Sequence, residues 1–393
     1  MSPRPLDGIL VADFTSTVAG PWATRLLADC GARVVKIETE GEGDILRFQP
    51  PIAGGISRVF AQFNAGKESI ALDLKSPEGI AVARQLIEQA DIVVENFRPG
   101  VMERFGLDFE SVKASNPKLI YCSISGFGQT GELSRRAAYA PLVHAYSGLD
   151  HAVTAAQSGD GTPPNCSVMI ADVVAASYAF GAIQTALIHR ERNGLGSHID
   201  VTLMESAMSL VAIQYQEAQS DKPLKSFAFE PIATRDGHVM IALVSVKTYM
   251  SVYPLIDRSE WLQNSDFNTL PGVMKNRRAV LDELGHWAKR YTTAECEQQM
   301  LEAGVPCTSY RTPSEQLHNP NLLALGSFQT LVDSGGDYMV QNPPFRISTT
   351  DCTARTEVAQ LGEHTQTILD NLKFVKQRLK AENDKSPTVP PMN

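Results

Sequence analysis

The chain has 393 residues, 43% of them hydrophobic and 20% charged, which is room for two domains and the make-up of an ordinary globular protein. A net charge of −9, with no basic stripe and no interleaved aromatic ladder, argues against a nucleic-acid partner and leaves any anionic ligand to local arginines and lysines. The six cysteines (Cys30, Cys122, Cys166, Cys296, Cys307 and Cys352) form no CxxC pair, so reduced thiols in a cytoplasm are expected in place of a disulfide framework or a zinc site.

Met1-Ser-Pro-Arg-Pro-Leu-Asp7 carries no apolar core of the kind a signal peptide needs. From there the first 130 residues alternate strand and helix patterns. Ile9–Phe14 reads as a buried strand, and Ala19–Asp29 as a helix with Pro21 near its start and Gly31 past its end. Ala32–Ile37 and Ser69–Leu74 are further strands. Ser76-Pro-Glu-Gly79 opens a helix to about Gln89, with Ser76 as cap. Asp91–Asn96 and Leu119–Ile124 complete a βαβ series and predict a mostly parallel sheet, whose ligands bind at the carboxyl ends of the strands.

Val168–Ile188 is the longest apolar run, and Asp172 interrupts it with no basic residue within ten positions on either side. Burying an unpaired carboxylate is costly, so such an acid either caps a helix or does chemistry that water would spoil. Val173–Arg192 reads as one helix closed by Asn193-Gly194, with Asp172 at its N-cap, and a capping carboxylate can also face a cleft. The run is long enough to raise the question of a membrane span, but its Asp, Ser, Tyr, Gln and Thr favour a buried core helix and no membrane contact.

A polar linker is expected over Gln216–Lys225. Beyond it, Phe229–Val244 reads as a hairpin turning at Asp236-Gly237, followed by helices over Arg277–Tyr291 and Thr293–Glu302. The second helix opens on the capping-box spacing Thr292-x-x-Glu295. The expected organisation is a large domain over 1–215 and again 326–375, a smaller α+β domain over 226–325, and a polar tail over 376–393.

Few motifs speak on their own. Gly126-Phe-Gly128-Gln-Thr-Gly131 matches GxGxxG after a strand, but no amphipathic helix follows it, so a glycine loop close to a ligand is a better reading than a dinucleotide site. Cys166 reads as a small core residue or a nucleophile, and His144 as a core histidine or an acid–base group. Asn96-Phe-Arg98-Pro-Gly100 followed by Arg104 puts two guanidinium groups at the end of a buried strand, either to hold phosphate or as ordinary surface charge.

Taken together, Leu6–Phe14, Ala19-Gly-Pro21, Leu27–Ala32, Val35–Glu38, Gly43–Arg47, Asn64–Lys75, Glu95–Gly100, Ser125–Gly128, Tyr146-Ser-Gly148, Ala303–Cys307 and Gly362–Thr365 resemble, in this order, the class III CoA-transferases of the CaiB/BaiF and formyl-CoA transferase type. The resemblance implies an α/β fold with a Rossmann-like large domain built from both chain ends, a small middle domain, and an interlocked homodimer. It implies a nucleophilic role for Asp172, which precedes the long apolar helix ending in Gly194-Leu-Gly196. The reaction implied moves CoA from a donor thioester such as succinyl-CoA to a small carboxylic or dicarboxylic acid. It runs through aspartyl anhydride and aspartyl-CoA intermediates, with CoA as substrate and no permanently bound cofactor or metal.

Carried over by position, CoA contacts fall on Val18, Ala19, Leu72, Lys75, Asn96, Phe97, Arg98, Arg104, Ser125, Gly126, Phe127 and Gly128, and substrate contacts on Arg47, Tyr139 and His144. Thr39 replaces a basic residue that some members carry for CoA. The His-Asp pair of the racemase branch is replaced by Ala138-Tyr139-Ala140, which favours transferase over 2-methylacyl-CoA racemase; a CoA-binding protein with a vestigial site is the non-enzyme alternative.

Overall fold

The computed structural model describes residues 3–157, 161–221 and 229–372. The chain divides into two compact units, residues 1–223 with 324–393, and residues 224–323.

The larger unit is built on six strands: β1 (Leu10–Asp13), β2 (Arg33–Thr39), β3 (Glu68–Leu72), β4 (Ile92–Glu95), β5 (Ile120–Ser125) and β6 (Ser197–Thr202). They run in the order β3-β2-β1-β4-β5-β6, every neighbouring pair parallel. Such a sheet needs helices on both faces, which is why β4 and β5 are buried along their whole length. Helix α1 (Ala19–Asp29) follows β1, and α2 (Pro77–Gln89) is capped by Ser76, whose Oγ accepts the Gly79 N–H at 3.0 Å. Then come α3 (Ala140–Tyr146), α4 (Ile170–Asn193) and α5 (Leu203–Leu210).

Helix α4 begins three residues earlier than its sequence suggests. Its N-cap is Met169, so Asp172 lies inside the first turn and does not cap. The buried face of α4 is Ala171, Ala175, Ala176, Ala179, Ile183 and Ala186, and it packs on α1. By length and composition alone this helix could cross a membrane.

In the smaller unit, β7 (Pro231–Ala233) and β8 (His238–Ile241) form the expected hairpin, with Thr234 N–H bonded to Gly237 O at 2.9 Å. Helices α6 (Arg277–Ala288) and α7 (Thr293–Glu302) follow, and β9 (Cys307–Ser309) pairs antiparallel with β8. The Thr292/Glu295 capping box forms as the spacing predicts. The expected linker is a short helix over Ala212–Glu217 at its start, and its end lies outside the described residues, as does the tail over 376–393.

On return to the larger unit, the chain forms the hairpin β10 (Phe328–Asp333) and β11 (Gly336–Gln341) and then shields the edge strand β3. His364 N–H donates to Ser69 O at 2.9 Å, and Ala71 N–H to Thr365 Oγ1 at 3.1 Å. Those bonds occupy a strand edge that would otherwise invite another chain, and they account for the Gly362-Glu-His-Thr365 signature.

Below the loop joining β1 to α1 lies a buried charge network. Lys67 Nζ contacts Asp13 Oδ2 at 3.0 Å and donates to Thr24 Oγ1 at 2.7 Å, Asn64 Oδ1 at 2.9 Å and Pro21 O at 3.0 Å. Lys36 Nζ bonds Thr15 O at 2.7 Å and pairs with Asp44 at 3.0 Å. Arg47 grips both Glu38 oxygens, at 2.8 and 2.7 Å. Burial by itself pushes the Asp13 carboxyl up, but Lys67 and Lys36 beside it, with bonds from Thr15 and Thr24, hold it down at about 2. Burial pulls Lys67 down to about 8 against the opposing pull of Asp13.

Breaking such a pair strands a buried charge. Asp13→Ala is expected to cost about 3–5 kcal/mol in guanidinium unfolding at pH 7. The wild-type chain binds fewer protons at Asp13 when folded than when unfolded, so it loses this contribution as pH falls from the ordinary carboxylate value of 3.8 through about 2. The mutant lacks that loss, and equal acid slopes in the two proteins would remove Asp13 from the stability account.

Candidate active site

A cleft of about 260 Å³ opens at the carboxyl ends of β1, β4 and β5. Strand order reverses between β1 and β4, so the loops after these strands diverge and leave a crevice. The first loop brings Ser16, Thr17 and Ala19 to its wall, the second Asn96, Phe97, Arg98 and Pro99, and the third Ser125 and Gly126. Ala138, Tyr139 and Asp172 close it. A Cβ on Gly126 would stand 2.1 Å from the Ala138 Cβ, so only glycine lets these segments meet.

Asp172 is the acid of this cleft. Burial pushes its carboxyl up to about 6, against two backbone N–H donors, its own and that of Ala19. Ala19 is the first residue of α1 and Asp172 lies in the first turn of α4, so two helix N-termini converge on one carboxylate. Among the described residues no cation pairs with it, so the carboxylate keeps its basicity.

The start of α4 has an unusual cap. Buried His144, on α3, accepts the Ala171 N–H through Nε2 at 3.0 Å. That bond requires a lone pair on Nε2 and therefore the proton on Nδ1. Burial pushes the His144 pKa down, which suits the neutral ring. His144 thus holds the helix that carries Asp172, and it is not among the residues that line the cleft, where a substrate contact was expected. Arg47 does not line it either. Its guanidinium is committed to Glu38 and to Ala359 O at 3.0 Å, and it stacks 3.8 Å from the Phe60 ring centroid. Tyr139, by contrast, lines the cleft with 65% of its surface exposed.

Of the expected CoA contacts, Ala19, Asn96, Phe97, Arg98, Ser125 and Gly126 come together at the cleft. The remainder do not line it. Val18 is the N-cap of α1, Leu72 is buried at the end of β3, and Lys75 and Arg104 are exposed. Gly128 N–H donates to Ser125 Oγ at 2.9 Å, closing the glycine loop on itself, and no helix follows it. Phe97 N–H donates to Glu95 Oε2 at 2.9 Å, and burial pushes that carboxyl up to about 7.

Sequence reasoning passed over Thr17 and Arg136. Thr17 has φ +64, a left-handed backbone that a β-branched residue rarely adopts. Arg136 lines the cleft with its guanidinium 4.9 Å from the Tyr146 ring centroid and 5.7 Å from that of Phe127. The one mark of it in the sequence is the Arg135-Arg136 pair just after the glycine loop.

Residues 6–365 match the model of CoA-transferase family III. Succinyl-CoA:glutarate CoA-transferase of Homo sapiens is 31% identical over 377 residues, covering 93% of this chain and 85% of that protein. Succinate–glutarate CoA-transferase of Agrobacterium fabrum is 32% identical, covering 95% of this chain and 97% of that one. Acetyl-CoA:oxalate CoA-transferase of Acetobacter aceti is 33% identical over 86% of this chain and 88% of its own length. A crystal structure of a CaiB/BaiF family protein from Brucella suis superposes with a TM-score of 0.82 at 30% identity, covering 94% of this chain and all (100%) of that one. With the family match running through both ends of the Asp172 cleft and the sheet that builds it, this chain belongs to CoA-transferase family III and is a CoA-transferase.

Proposed function

We propose that this enzyme moves CoA from succinyl-CoA to a small dicarboxylic acid, with Asp172 as the nucleophile. The observation that carries this reading is a carboxylate set in a cleft between two helix N-termini, raised to about 6 by burial and without a cationic partner among the described residues. At neutral pH such a group is ionised yet more basic than a solvated aspartate, which suits attack on a thioester carbonyl. The dicarboxylate is supported by the glutarate-type relatives, which are named for succinyl-CoA and glutarate or for succinate and glutarate.

The steps balance without ATP. The Asp172 carboxylate attacks the acyl carbon of the donor thioester, the C–S bond breaks, and CoA leaves as thiolate from a mixed anhydride. The thiolate then attacks the Asp172 carbonyl carbon, releasing the donor acid and forming aspartyl-CoA. The acceptor carboxylate attacks that thioester, again forming an anhydride and freeing thiolate. Thiolate attack on the acceptor acyl carbon forms the new acyl-CoA and returns the Asp172 carboxylate. Water competes at each intermediate, so a narrow cleft protects them. Backbone N–H groups at the two helix starts supply donors where negative charge develops. Arg98 and Arg136 supply positive charge for CoA phosphates at the mouth. CoA enters as substrate, and the cycle calls for no bound cofactor or metal.

The racemase alternative needs a base beside the acyl α-carbon. His144 is buried as a helix cap, and Ala138 and Tyr139 occupy that wall of the cleft, so the same residues favour transfer. We read the working compartment as the cytoplasm, on the cysteine spacing. The working state in this reading is a homodimer. Helices α3, α4 and α5 pack together and expose Leu142, Tyr146, Val173, Tyr178, Ile188 and Leu210, apolar side chains that a second chain would cover.

Five outcomes test the reading. In succinyl-CoA/glutarate exchange followed by mass spectrometry, Asp172→Ala is expected to lose at least about 10⁴-fold in kcat. Hydroxylamine is expected to trap an adduct on Asp172 in the wild type, and kcat/KM is expected to fall as pH drops through about 6, where the nucleophile takes up a proton. Exchange at the wild-type rate in Asp172→Ala would end the nucleophile assignment. Arg98→Ala and Arg136→Ala are expected to raise KM for the CoA thioester about 5- to 20-fold with kcat within about threefold, as lost phosphate contacts should. Sedimentation equilibrium is expected to give the mass of two chains, and a monomer at micromolar concentration would contradict the homodimer.

A further inference from the structure

The loop between β1 and α1 is held by side chains from four different parts of the larger unit. Thr15 donates to Asp13 Oδ1 from both its backbone N–H, at 2.9 Å, and its hydroxyl, at 2.5 Å. Thr15 O accepts from Lys36 Nζ at 2.7 Å. The Asn96 amide grips Ser16 at both ends, with Ser16 N–H donating to Oδ1 at 2.9 Å and Nδ2 donating to Ser16 O at 2.8 Å. Thr17 N–H donates to Asp44 Oδ1 at 3.2 Å, and Asp44 is itself buried against Lys36.

These bonds hold a conformation the loop does not prefer. Thr17 at φ +64 is strained, and a β-branched residue left free relaxes to negative φ. Two residues later the chain reaches Ala19, at the first turn of α1, which lines the same cleft as Asp172 while α1 packs on α4. Gly20 follows under equally tight constraint, since a Cβ there would lie 2.3 Å from Thr15 Cβ. A change at Ser16 or Thr17 therefore moves the first turn of α1 relative to Asp172.

We propose that Asn96 and Asp44 are positioning residues for the nucleophile, clamping Ser16 and Thr17 in a strained turn so that the Ala19 N–H is aimed at the Asp172 carboxylate. This rests on the reading of Asp172 as nucleophile, and it gives Asn96 a task other than direct contact with CoA. Both polar ends of its amide are used inside the protein, so its side chain serves the cleft through the loop. Strain held at a functional site by surrounding bonds is the physical signature of such a device.

The test uses the full-length enzyme and two readouts. One is the titration midpoint of the Asp172 carboxyl, followed by carbon-13 NMR in the substrate-free protein. The other is the split between kcat and KM in the CoA-exchange assay. Asn96→Ala is expected to raise the Asp172 midpoint by about one pH unit, because the Ala19 donor to the charged form is lost. It is expected to lower kcat at least about tenfold with KM for the CoA thioester within about twofold. Adding Thr17→Gly to Asn96→Ala is expected to restore part of both, because glycine adopts positive φ without steric cost. If Asn96→Ala does not fold by circular dichroism, the smaller polar change Asn96→Ser carries the same expectations. An unchanged midpoint, or a loss confined to KM, overturns the proposal, the latter by making Asn96 a direct CoA ligand. Should Asp172→Ala retain exchange, the nucleophile reading fails, while the midpoint shift still judges the clamp independently.

Discussion

A lysine ammonium buried beneath the start of α1 anchors the active end of this protein. Lys67 touches Asp13, Thr24, Asn64 and Pro21 O together, so its charge is spread over partners from strand β1, helix α1 and the helix Arg58–Asn64. Desolvating the two charges is expensive, and only this degree of satisfaction offsets it. Asp13 cannot be given up cheaply, because its second oxygen orients Thr15. From Thr15 the chain of bonds continues through Lys36 to Asp44 and on to Glu38 and Arg47. The cleft wall is therefore cantilevered from a polar core and not from an apolar one.

That design suits a carboxylate nucleophile. An aspartate in water is a weak attacker, and one paired with arginine is weaker still. Here burial raises Asp172 to about 6 while two backbone N–H groups keep the ionised form from being lost. Helix dipoles help without adding a titratable cation, and the donors stay fixed as charge moves from carboxylate to tetrahedral oxygen and back. The alanine face of α4 lets α1 come close enough for Ala19 to reach Asp172. His144 serves the same end, spending its only lone pair on the Ala171 N–H.

Much of the scaffold was legible in the chain. Ala19–Asp29 and Thr293–Glu302 form helices at the expected residues, because proline, threonine and glycine punctuation marks their ends. The strands lie within a residue or two of their apolar runs. Asp172 was legible as an anomaly, but not its place in the first turn, since Met169 offers no capping side chain to read. His144 and Arg47, expected at the substrate, lie off the cleft lining for one reason. Their partners, Ala171 N–H and Glu38, are set by how helices and loops fold against each other, and periodicity carries no trace of that. Thr17 was invisible because threonine carries no signal for positive φ.

By itself, then, the sequence determined the parallel sheet, the helix punctuation, and the presence of one acid that an apolar run would not tolerate without a purpose. These follow from local propensity and from hydrophobic burial, which act on neighbours in the chain. Only the tertiary structure decided that Ala19, Asn96, Arg136 and Asp172 share one cleft and that a threonine is held left-handed at its wall. Those outcomes depend on bonds between residues as far apart as Ser16 and Asn96, or Asp13 and Lys67. Their geometry exists only once the sheet order has brought the two loops side by side.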